Sequence, residues 1–378
     1  MMHACVGLSA LSLLAATAQA QLPTLYASRP GQIVRLADLN GDGDYLDFDE
    51  VLTYATGLSG SLGACAARGN GLLVVSNSAG LGSIYQVQDL NGDGDALDFG
   101  EVTLFAQVPG TTLVGLACLD DACYSVDSIT GSLYRFEDLN QDGDALDFAE
   151  TTIVGNGLSG AVSIAAMPGG PLLVAMSSSA VPVRILQDRN GDGDFFDFAE
   201  NITYAENFAA GADLACLSAT ISFLTRASDG KVLRLQDLTG DGDSLDFGEV
   251  VEYAVGIGSA SKVAIAGDDV FVAAADTQGN LWRLHDSNLD GDALDFGEVR
   301  LVAQGLTQVG GLTAVIVTST CLAGDADGDG AVSMADVPGF VNGLLGVGGT
   351  VDSCRLDTNQ DGLVDGRDVG GLVRRLVP

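Results

Sequence analysis

The sequence predicts an all-β fold of six four-stranded repeats, followed by a small α-helical C-terminal domain. An acidic segment, first found as Asp38-Leu-Asn-Gly-Asp-Gly-Asp, occurs in six closely similar copies at intervals of 49 to 51 residues. Each interval contains four short runs rich in Val, Ile, Leu and Tyr, which Gly, Pro, Asn or Asp separate. Such runs are typical of strands, and a fixed interval indicates one structural unit repeated along the chain.

Four antiparallel strands in about 50 residues resemble one blade of a β-propeller. The first repeat begins at Leu22 and has only three strand-like runs, whereas one unmatched run, Gly311 to Val317, follows the sixth repeat. This last strand can complete the first blade, so the sequence predicts a closed six-bladed propeller without free sheet edges. The alternative is an open array of β-hairpins with two unpaired edges. In the fourth repeat the predicted strands are 162–166, 172–176, 183–187 and 201–205.

Residues 1–20 predict a secretory signal peptide. A short apolar core, 10–16, precedes the small-x-small site Ala18-Gln19-Ala20. We therefore expect a protein that begins at Gln21 and is extracellular, periplasmic or attached to the cell surface, with no transmembrane segment after cleavage. The predicted domains are the propeller, 21–320, and the C-terminal domain, 321–378.

The cysteines that remain after cleavage are even in number and would occupy an oxidising compartment. We expect Cys65 and Cys216, in first strands of different repeats, to be free and buried. The candidate disulfide pairs are Cys118–Cys123 and Cys321–Cys354.

The acidic loops alternate oxygen-bearing side chains around a central glycine. Positions 1, 5, 7 and 10 are Asp, position 3 is Asn or once Thr, position 6 is Gly, position 11 is Phe and position 13 is Glu. The candidate metal ligands of the first three loops are Asp38, Asn40, Asp42, Asp44, Asp47, Glu50, Asp89, Asn91, Asp93, Asp95, Asp98, Glu101, Asp138, Asn140, Asp142, Asp144, Asp147 and Glu150. Those of the last three loops are Asp188, Asn190, Asp192, Asp194, Asp197, Glu200, Asp237, Thr239, Asp241, Asp243, Asp246, Glu249, Asp286, Asn288, Asp290, Asp292, Asp295 and Glu298.

Calcium is the ion that this pattern favours, because Ca²⁺ takes six to eight oxygen ligands and alternate residues of a tight loop can point inward. The alternative, a metal-free acidic turn, would pack several carboxylates together without a cation. Either the Asp at position 10 or the Glu at position 13, Asp47 or Glu50 in the first loop, can complete the shell. Thr239 makes the fifth site the weakest, and we expect the Phe to anchor each loop to the apolar edge of its blade.

The loop resembles an EF-hand loop, although its Glu comes one residue later. Because it joins two strands, it is more similar to the calcium hairpins of integrin-type propellers. If the blades are wound in the usual way, these loops between the third and fourth strands lie on one face, near the rim. A basic or amide side chain before each loop either neutralises carboxylate charge or has a solvated or inter-blade role. These residues are Arg35, Gln86, Arg135, Arg184, Arg234 and Arg283.

The C-terminal domain contains two more acidic loops, each followed by an apolar helix-like run, Val337 to Leu345 and Val369 to Leu376. The candidate ligands are Asp325, Asp327, Asp329, Ser333, Asp336, Asp357, Asn359, Asp361, Asp365 and Asp368. This duplicated loop and helix resembles a type I dockerin over about the last 55 residues. The resemblance implies two further calcium ions and a cohesin-like or cell-surface protein as partner.

The distribution of charge and of reactive side chains limits the function classes. A formal net charge of −35 makes nucleic acid an unfavourable partner. After cleavage the only histidine is His285, which we expect to be structural, and the only lysines are Lys231 and Lys262. We therefore expect a non-catalytic extracellular scaffold or binding module with a tail for attachment or assembly. The alternative is a polysaccharide-degrading enzyme or accessory component that the tail delivers to its polysaccharide.

Overall fold

The computed structural model describes 22–315, apart from residues 59, 69, 70, 120 and 179, and within the C-terminal segment 324, 326, 332–334, 336–345, 353–356, 358, 364 and 366–376. The predicted signal peptide and the Cys321–Cys354 pairing lie outside these residues. So do the predicted ligands Asp325, Asp327, Asp329, Asp357, Asn359, Asp361 and Asp365. The chain divides into two compact units, Met1–Val315 and Ile316–Pro378.

Six four-stranded antiparallel sheets form the first unit. Its first strands in chain order are β1 (Thr24–Arg29), β2 (Gln32–Leu36), β3 (Val51–Thr56), β4 (Ser61–Arg68), β5 (Gly71–Ser78), β6 (Leu81–Val87), β7 (Val102–Pro109), β8 (Leu113–Leu119), β9 (Ala122–Asp127), β10 (Leu133–Glu137), β11 (Thr151–Gly155) and β12 (Ala161–Ala166). The remaining strands are β13 (Leu172–Met176), β14 (Val183–Leu186), β15 (Asn201–Ala205), β16 (Asp213–Cys216), β17 (Ile221–Arg226), β18 (Lys231–Gln236), β19 (Val250–Ala254), β20 (Ala260–Ala266), β21 (Asp269–Ala274), β22 (Leu281–Leu284), β23 (Val299–Ala303) and β24 (Gly311–Val315). The four strands predicted for the fourth repeat, now β12 to β15, agree within one residue.

The last strand closes the first sheet. β24 pairs antiparallel with β1, from Thr24 opposite Val315 to Ser28 opposite Gly311. The innermost strands β4, β8, β12, β16, β20 and β24 contact one another in that order, and β24 also contacts β4. The first unit is therefore a six-bladed β-propeller, and the open array of hairpins is wrong.

Apolar side chains fill the layers between neighbouring blades. Ile84 and Phe105 of the second blade, for example, pack in one buried cluster with Phe136 of the third. The layer between the sixth and first blades contains Phe271 and Leu25. Because removal of apolar surface from water drives this packing, the strand alternation that the sequence shows leads directly to blade stacking.

Each outermost strand contains a β-bulge at the equivalent residue. In the first blade Ile33 lies opposite Ala55 and Val34 opposite Thr53, so Tyr54 is the extra residue. A bulged residue is unpaired in the ladder of its own sheet, which leaves its backbone groups available to another partner. The six bulged residues are Tyr54, Phe105, Val154, Tyr204, Tyr253 and Val302.

The predicted disulfide and the two predicted free cysteines are confirmed, but Cys216 is less buried than expected. Cys118 and Cys123 lie opposite each other on β8 and β9 and form a disulfide. Cys65 and Cys216 are free, Cys65 being buried and Cys216 partly buried. Desolvation raises the pKa of each thiol to about 12, so both are protonated at neutral pH.

The second unit contains helices α1 (Asp336–Leu344), α2 (Ser353–Leu356) and α3 (Asp368–Leu376). α1 and α3 begin and end within one residue of the two predicted helical runs. Phe340, Leu356 and Leu372, one from each helix, form a small buried cluster. In the part of the chain that the structure describes, every helix is too short or too polar to cross a membrane.

The close approach of β24 to β4 generates a stability prediction. A Cβ atom on Gly311 would lie 2.6 Å from the Cα atom of Ala64, whereas a Cβ atom on Gly63 would be 3.5 Å from its nearest neighbour. Gly311→Ala should therefore lower the free energy of unfolding by about 1–3 kcal/mol through overpacking, and Gly63→Ala should leave it nearly unchanged. Urea denaturation measures both, and equal stability of the two variants would contradict this account of the closure.

Candidate metal centres

Each acidic loop is hydrogen-bonded to the preceding blade. The backbone N–H at position 8 donates to the carbonyl oxygen of the bulged residue on that blade's outermost strand, at 2.7–2.8 Å. The bond occurs in all six copies, and one of these bonds joins the loop of the first blade to the sixth blade. The donor and acceptor pairs are Tyr45 and Val302, Ala96 and Tyr54, Ala145 and Phe105, Phe195 and Val154, Ser244 and Tyr204, and Ala293 and Tyr253. Because every loop joins the third strand to the outermost strand, the loops lie at the rim, on one face.

Two of the arginines that precede the loops also cross between blades. Arg35 Nη1 donates to the carbonyl oxygen of Gly94 at 2.7 Å, and Arg234 Nη1 donates to that of Gly291 at 2.5 Å. Both acceptors are the position-6 glycine of the next blade's loop, so these arginines have the inter-blade role. The others contact their own blade: Gln86 with Gln88, Arg135 with Glu137, Arg184 with Asn201 and Arg283 with Asp269.

The glutamate at position 13 closes each loop on its own backbone. Glu101 Oε1 accepts the N–H of Leu90 at 2.9 Å, and its Oε2 accepts the N–H of Asp98 at 2.9 Å. The equivalent bonds, at 2.8–3.2 Å, occur in every copy. All six side chains are buried: Glu50, Glu101, Glu150, Glu200, Glu249 and Glu298.

In two of the loops these hydrogen bonds lower the pKa of the glutamate. Desolvation raises the pKa of Glu249 and of Glu298, but the N–H donors outweigh it and hold the pKa of each below its ordinary value of 4.5. A carboxylate with a lowered pKa in the folded state stabilises the fold above the ordinary pKa. That contribution is lost as the pH falls through the lowered value.

The aspartate at position 1 orders the first half of the loop. Asp89 Oδ1 accepts the N–H of Gly92 at 2.6 Å, and its Oδ2 accepts the N–H of Gly94 at 2.8 Å. Gly94, at position 6, has a φ of +98°, a left-handed conformation that glycine adopts without steric cost. The bond from the position-6 N–H recurs in all copies, at Asp38, Asp89, Asp138, Asp188, Asp237 and Asp286.

The carboxylates at positions 5 and 10 converge on the side chain at position 3. Asn91 Nδ2 donates to Asp93 Oδ2 at 3.0 Å and to Asp98 Oδ2 at 2.6 Å. The same two bonds occur in the five loops that have Asn at position 3, namely those of Asn40, Asn91, Asn140, Asn190 and Asn288. The amide group therefore lies between two carboxylates, where a cation would interact favourably with both.

The oxygens of the loop fit a hard cation. Among the described residues, no three His, Cys, Asp or Glu side chains converge closely enough to hold a metal ion. Each loop with Asn at position 3 instead brings together two carboxylates and one amide. Rotation of the Asn side-chain amide by half a turn would direct its oxygen, in place of its nitrogen, toward a cation between the carboxylates. Calcium needs six to eight oxygens, so the Asp residues at positions 1 and 7, backbone carbonyls and water would have to supply the rest. An all-oxygen set suits Ca²⁺ better than a soft transition metal.

The fifth loop differs because Thr239 has no amide to place between the carboxylates. Desolvation raises the pKa of Asp243, and the neighbouring charges of Asp241, Glu249 and Asp246 raise it further, although the N–H of Leu245 opposes them. Carboxylate repulsion is thus less compensated in this loop.

The predicted anchoring role of the position-11 phenylalanine is wrong. All six rings are fully exposed, at 92–107% of the reference accessible surface. The N–H at position 13 donates to the carbonyl oxygen at position 10 in every copy, so positions 11 and 12 are the corner residues of a turn. The exposed residues are Phe48, Phe99, Phe148, Phe198, Phe247 and Phe296.

The buried residue at position 8 anchors the loop instead. Its side chain is at most 8% exposed in any copy, and its backbone N–H makes the bond to the preceding blade. No residue type marks this role in the sequence, because a backbone donor needs no particular side chain. The residues are Tyr45, Ala96, Ala145, Phe195, Ser244 and Ala293.

Only three of the predicted C-terminal ligands are described. Asp336 and Asp368 are buried and are the first residues of α1 and α3. Asp336 Oδ2 accepts the N–H of Ser333 at 2.7 Å. Thr358 donates its hydroxyl to the backbone carbonyl of Asp368. These contacts order the helix starts, but the loops that lead to them lie largely outside the described residues.

The central channel is lined mainly by small apolar residues of the six innermost strands. It contains a cavity of about 260 Å³, and its charged lining residues are Asp213 and Lys262. Asp213 Oδ2 accepts the N–H of Val263 at 3.1 Å. His285 lies outside this cavity, with Nδ1 2.8 Å from Asp269 Oδ1, and Asp269 also pairs with Arg283. His285 therefore contacts the carboxylate of the Asp269–Arg283 ion pair.

Comparison with known proteins shows the fold alone. No protein family model matches the sequence, and no curated protein matches it. The propeller is similar to a chain of a nidogen/laminin complex, with 15% identity, a TM-score of 0.57, and coverage of 77% of this chain and 98% of that chain. It is also similar to TolB from Acinetobacter baumannii, with 14% identity, a TM-score of 0.50, and coverage of 77% and 65%.

The two classes of loop carboxylate should respond differently to substitution. Glu150→Gln would turn an amide N–H₂ toward one of the buried N–H groups of the loop, and we expect it to lower the free energy of unfolding of the calcium-free protein by about 1–3 kcal/mol. Asp147→Asn in the same loop keeps an oxygen for Asn140 and is exposed, so its effect should stay within about 0.5 kcal/mol. Urea denaturation in chelator measures both. A larger loss for Asp147→Asn would show that the roles are assigned the wrong way round.

Proposed function

We propose that the protein is a secreted, non-catalytic calcium-binding scaffold or binding module, in which each rim loop holds Ca²⁺ where two blades meet. The observation that carries the proposal is the convergence of the carboxylates at positions 5 and 10 on one small polar group. It recurs in five loops. Two carboxylates that share one small polar group repel each other. A divalent cation bound between them attracts both and so outweighs the repulsion.

The Asp at position 10, and not the Glu at position 13, completes the proposed calcium shell. Both oxygens of the glutamate already accept backbone N–H groups in a buried position, as in Glu101. The position-10 aspartate is exposed and faces the side chains at positions 3 and 5, as Asp98 does. The glutamate then acts on the ion only by keeping the loop closed.

Calcium at these loops would stabilise the whole propeller. The loop backbone is bonded to the preceding blade through position 8, and its strands belong to the next blade. An ion that rigidifies the loop therefore strengthens a joint between two blades. Since ligands that bind only the folded state add RT ln(1 + [L]/Kd), several loops contribute together.

The scaffold interpretation is also supported by the distribution of reactive groups. Among the described residues, one carboxylate, Asp213, and one amine, Lys262, line the channel cavity beside small apolar residues. His285 lies outside the cavity and contacts the Asp269 carboxylate. The rim carboxylates that would bind calcium stay ionised and are poor proton donors. An enzyme that acts on polysaccharides would need two carboxylates facing each other across a cleft, and the channel cavity offers one.

The C-terminal unit serves attachment or assembly in this proposal. α1 and α3 each begin with a buried aspartate at the twelfth position of a predicted calcium loop. A cohesin-like or cell-surface protein is the proposed partner. The positions that contact the partner in dockerins are Met334-Ala335 and Gly366-Arg367 here, so the partner surface must differ from the usual Ser/Thr type.

Calcium removal tests the main proposal. Metal analysis of the mature protein at millimolar calcium should find an ion in most of the eight loops, and chelation should lower the melting temperature. Each site should contribute about 1–3 kcal/mol if its Kd lies about ten- to a hundredfold below the ambient calcium concentration. Fewer than about four ions per chain, or an unchanged melting temperature, would refute the proposal that the six rim loops and the two C-terminal loops bind calcium.

A reciprocal exchange at position 3 identifies the sites within the total. Thr239→Asn should strengthen calcium binding at the fifth loop, because the side-chain oxygen of Asn reaches further toward the ion than the Thr hydroxyl does. Asn288→Thr should weaken binding at the sixth loop to the same degree, by about tenfold. Isothermal titration of both variants measures the changes. If neither variant alters calcium affinity, position 3 is not a ligand.

The C-terminal unit should respond to calcium independently. A fragment of residues 321–378, kept oxidised, should gain helical circular dichroism when calcium is added, because the two loops fold around the ion. Asp325→Ala combined with Asp357→Ala should abolish the gain. Helicity that does not depend on calcium in the unaltered fragment would rule out calcium-linked folding.

A further inference from the structure

The six exposed phenylalanines have no folding role that the described contacts reveal. Each ring is the first corner residue of a turn over positions 10–13, which we name the Phe turn, and is at least 92% exposed. Position 12 changes between copies, from Asp49 to Ala149 to Gly248, whereas position 11 is Phe in all six. Because a fully exposed ring contributes no packing, the repetition of Phe within the chain points to contact with another molecule.

The surroundings of each ring add to its apolar surface. The side chain at position 9, two residues earlier, is 44–50% exposed in every copy. The Phe turn thus presents one full ring and half of a second apolar side chain at the rim. These second residues are Leu46, Leu97, Leu146, Phe196, Leu245 and Leu294.

The charge beside the rings selects the partner. Five acidic residues in every loop, with Asp49 as one more, place 31 of the 51 acidic residues of the chain in the loops. Six divalent cations would leave most of this negative charge in place. Anionic polymers and anionic lipid surfaces are therefore repelled at long range, whereas lysine and arginine side chains are attracted.

We propose that the Phe turns form a ring-shaped, multivalent docking surface for a basic, partly apolar polypeptide. Its apolar side chains pack against the rings at positions 9 and 11. Its cationic groups pair with the aspartates or lie over the phenylalanine faces. A neutral polysaccharide could use the rings but would leave the carboxylates without a partner. Six equivalent contacts on one face give avidity even if each contact is weak.

The inference does not depend on calcium in the loops, because the rim is acidic with or without the ion. Calcium content can be measured on the same samples by metal analysis. If the protein contains calcium but does not bind the polypeptide, the result therefore counts against the docking surface alone. If the protein binds the polypeptide but contains no calcium, the result counts against the proposed function alone.

The test is fluorescence anisotropy of the full mature chain with a labelled amphipathic lysine–leucine peptide, at low and physiological salt, with calcium and with chelator. Phe148→Ser should weaken binding, and the triple variant Phe148→Ser, Phe198→Ser, Phe247→Ser should raise the Kd by at least about tenfold. The matched control is Ile129→Ser in the same blade as Phe148. Ile129 is 67% exposed in the turn between the second and third strands, at the opposite end of the blade from the loop.

Because the altered rings are exposed, the melting temperature of each variant should match that of the unaltered protein, which separates binding from folding. An unchanged Kd in the triple variant would overturn the proposal and leave only non-specific charge attraction. Phe-dependent binding of a neutral glucan without Phe-dependent binding of the peptide would overturn it in favour of a polysaccharide. Phe-dependent self-association in sedimentation, without peptide binding, would overturn it in favour of a second copy of the chain.

Discussion

One backbone hydrogen bond, repeated six times, determines how the rim of this propeller is built. The β-bulge in each outermost strand leaves a carbonyl oxygen without a partner in its own sheet, and the position-8 N–H of the next blade's loop donates to it. A single such bond contributes only about 1 kcal/mol. Its importance lies in its position, because it connects neighbouring blades far from the axis. At the closing sheet the same bond joins Tyr45 to Val302, so the two ends of the repeat array meet through the contact that joins every other pair of blades.

The remaining features of the loop follow from that attachment. With position 8 held against the preceding blade, the chain must turn back to begin the outermost strand, and the buried glutamate at position 13 satisfies the N–H groups that the turn leaves inside. The glutamate reaches these donors because its side chain is one methylene longer than that of aspartate. The shorter aspartates at positions 5 and 10 remain at the surface, where they face each other across position 3. The carboxylates that close the loop and those proposed to bind calcium are thus separated by side-chain length and burial within one segment of 13 residues.

Periodicity in the sequence was sufficient to predict the blades, their number and the closing strand, because each depends on a pattern spread over many residues. The Cys118–Cys123 disulfide was also within reach, since the two residues flank a hairpin turn. The bulges could not be predicted from the sequence, because a shift of one residue in one strand leaves the apolar pattern almost unchanged. The proposal that Asp, and not Glu, is the last calcium ligand depends on the direction of the side chain, which spacing does not contain. The phenylalanine was misjudged because an apolar residue type predicts burial, whereas the corner of a turn exposes any side chain that occupies it.

The channel and the rim of this propeller differ in their chemistry, and the proposed function places binding at the rim. Among the described residues, the central cavity of about 260 Å³ is lined by one carboxylate and one amine. The rim, by comparison, concentrates most of the charge and six exposed aromatic rings, repeated once per blade. Catalysis requires one site whose groups differ from one another and are tuned individually. Six nearly identical sites instead favour weak contacts that add up, which is the logic of avidity. A repeat that keeps its loop almost unchanged through six copies is therefore suited to holding a partner or an ion many times over, and the blades provide the fixed spacing that such multivalent binding needs.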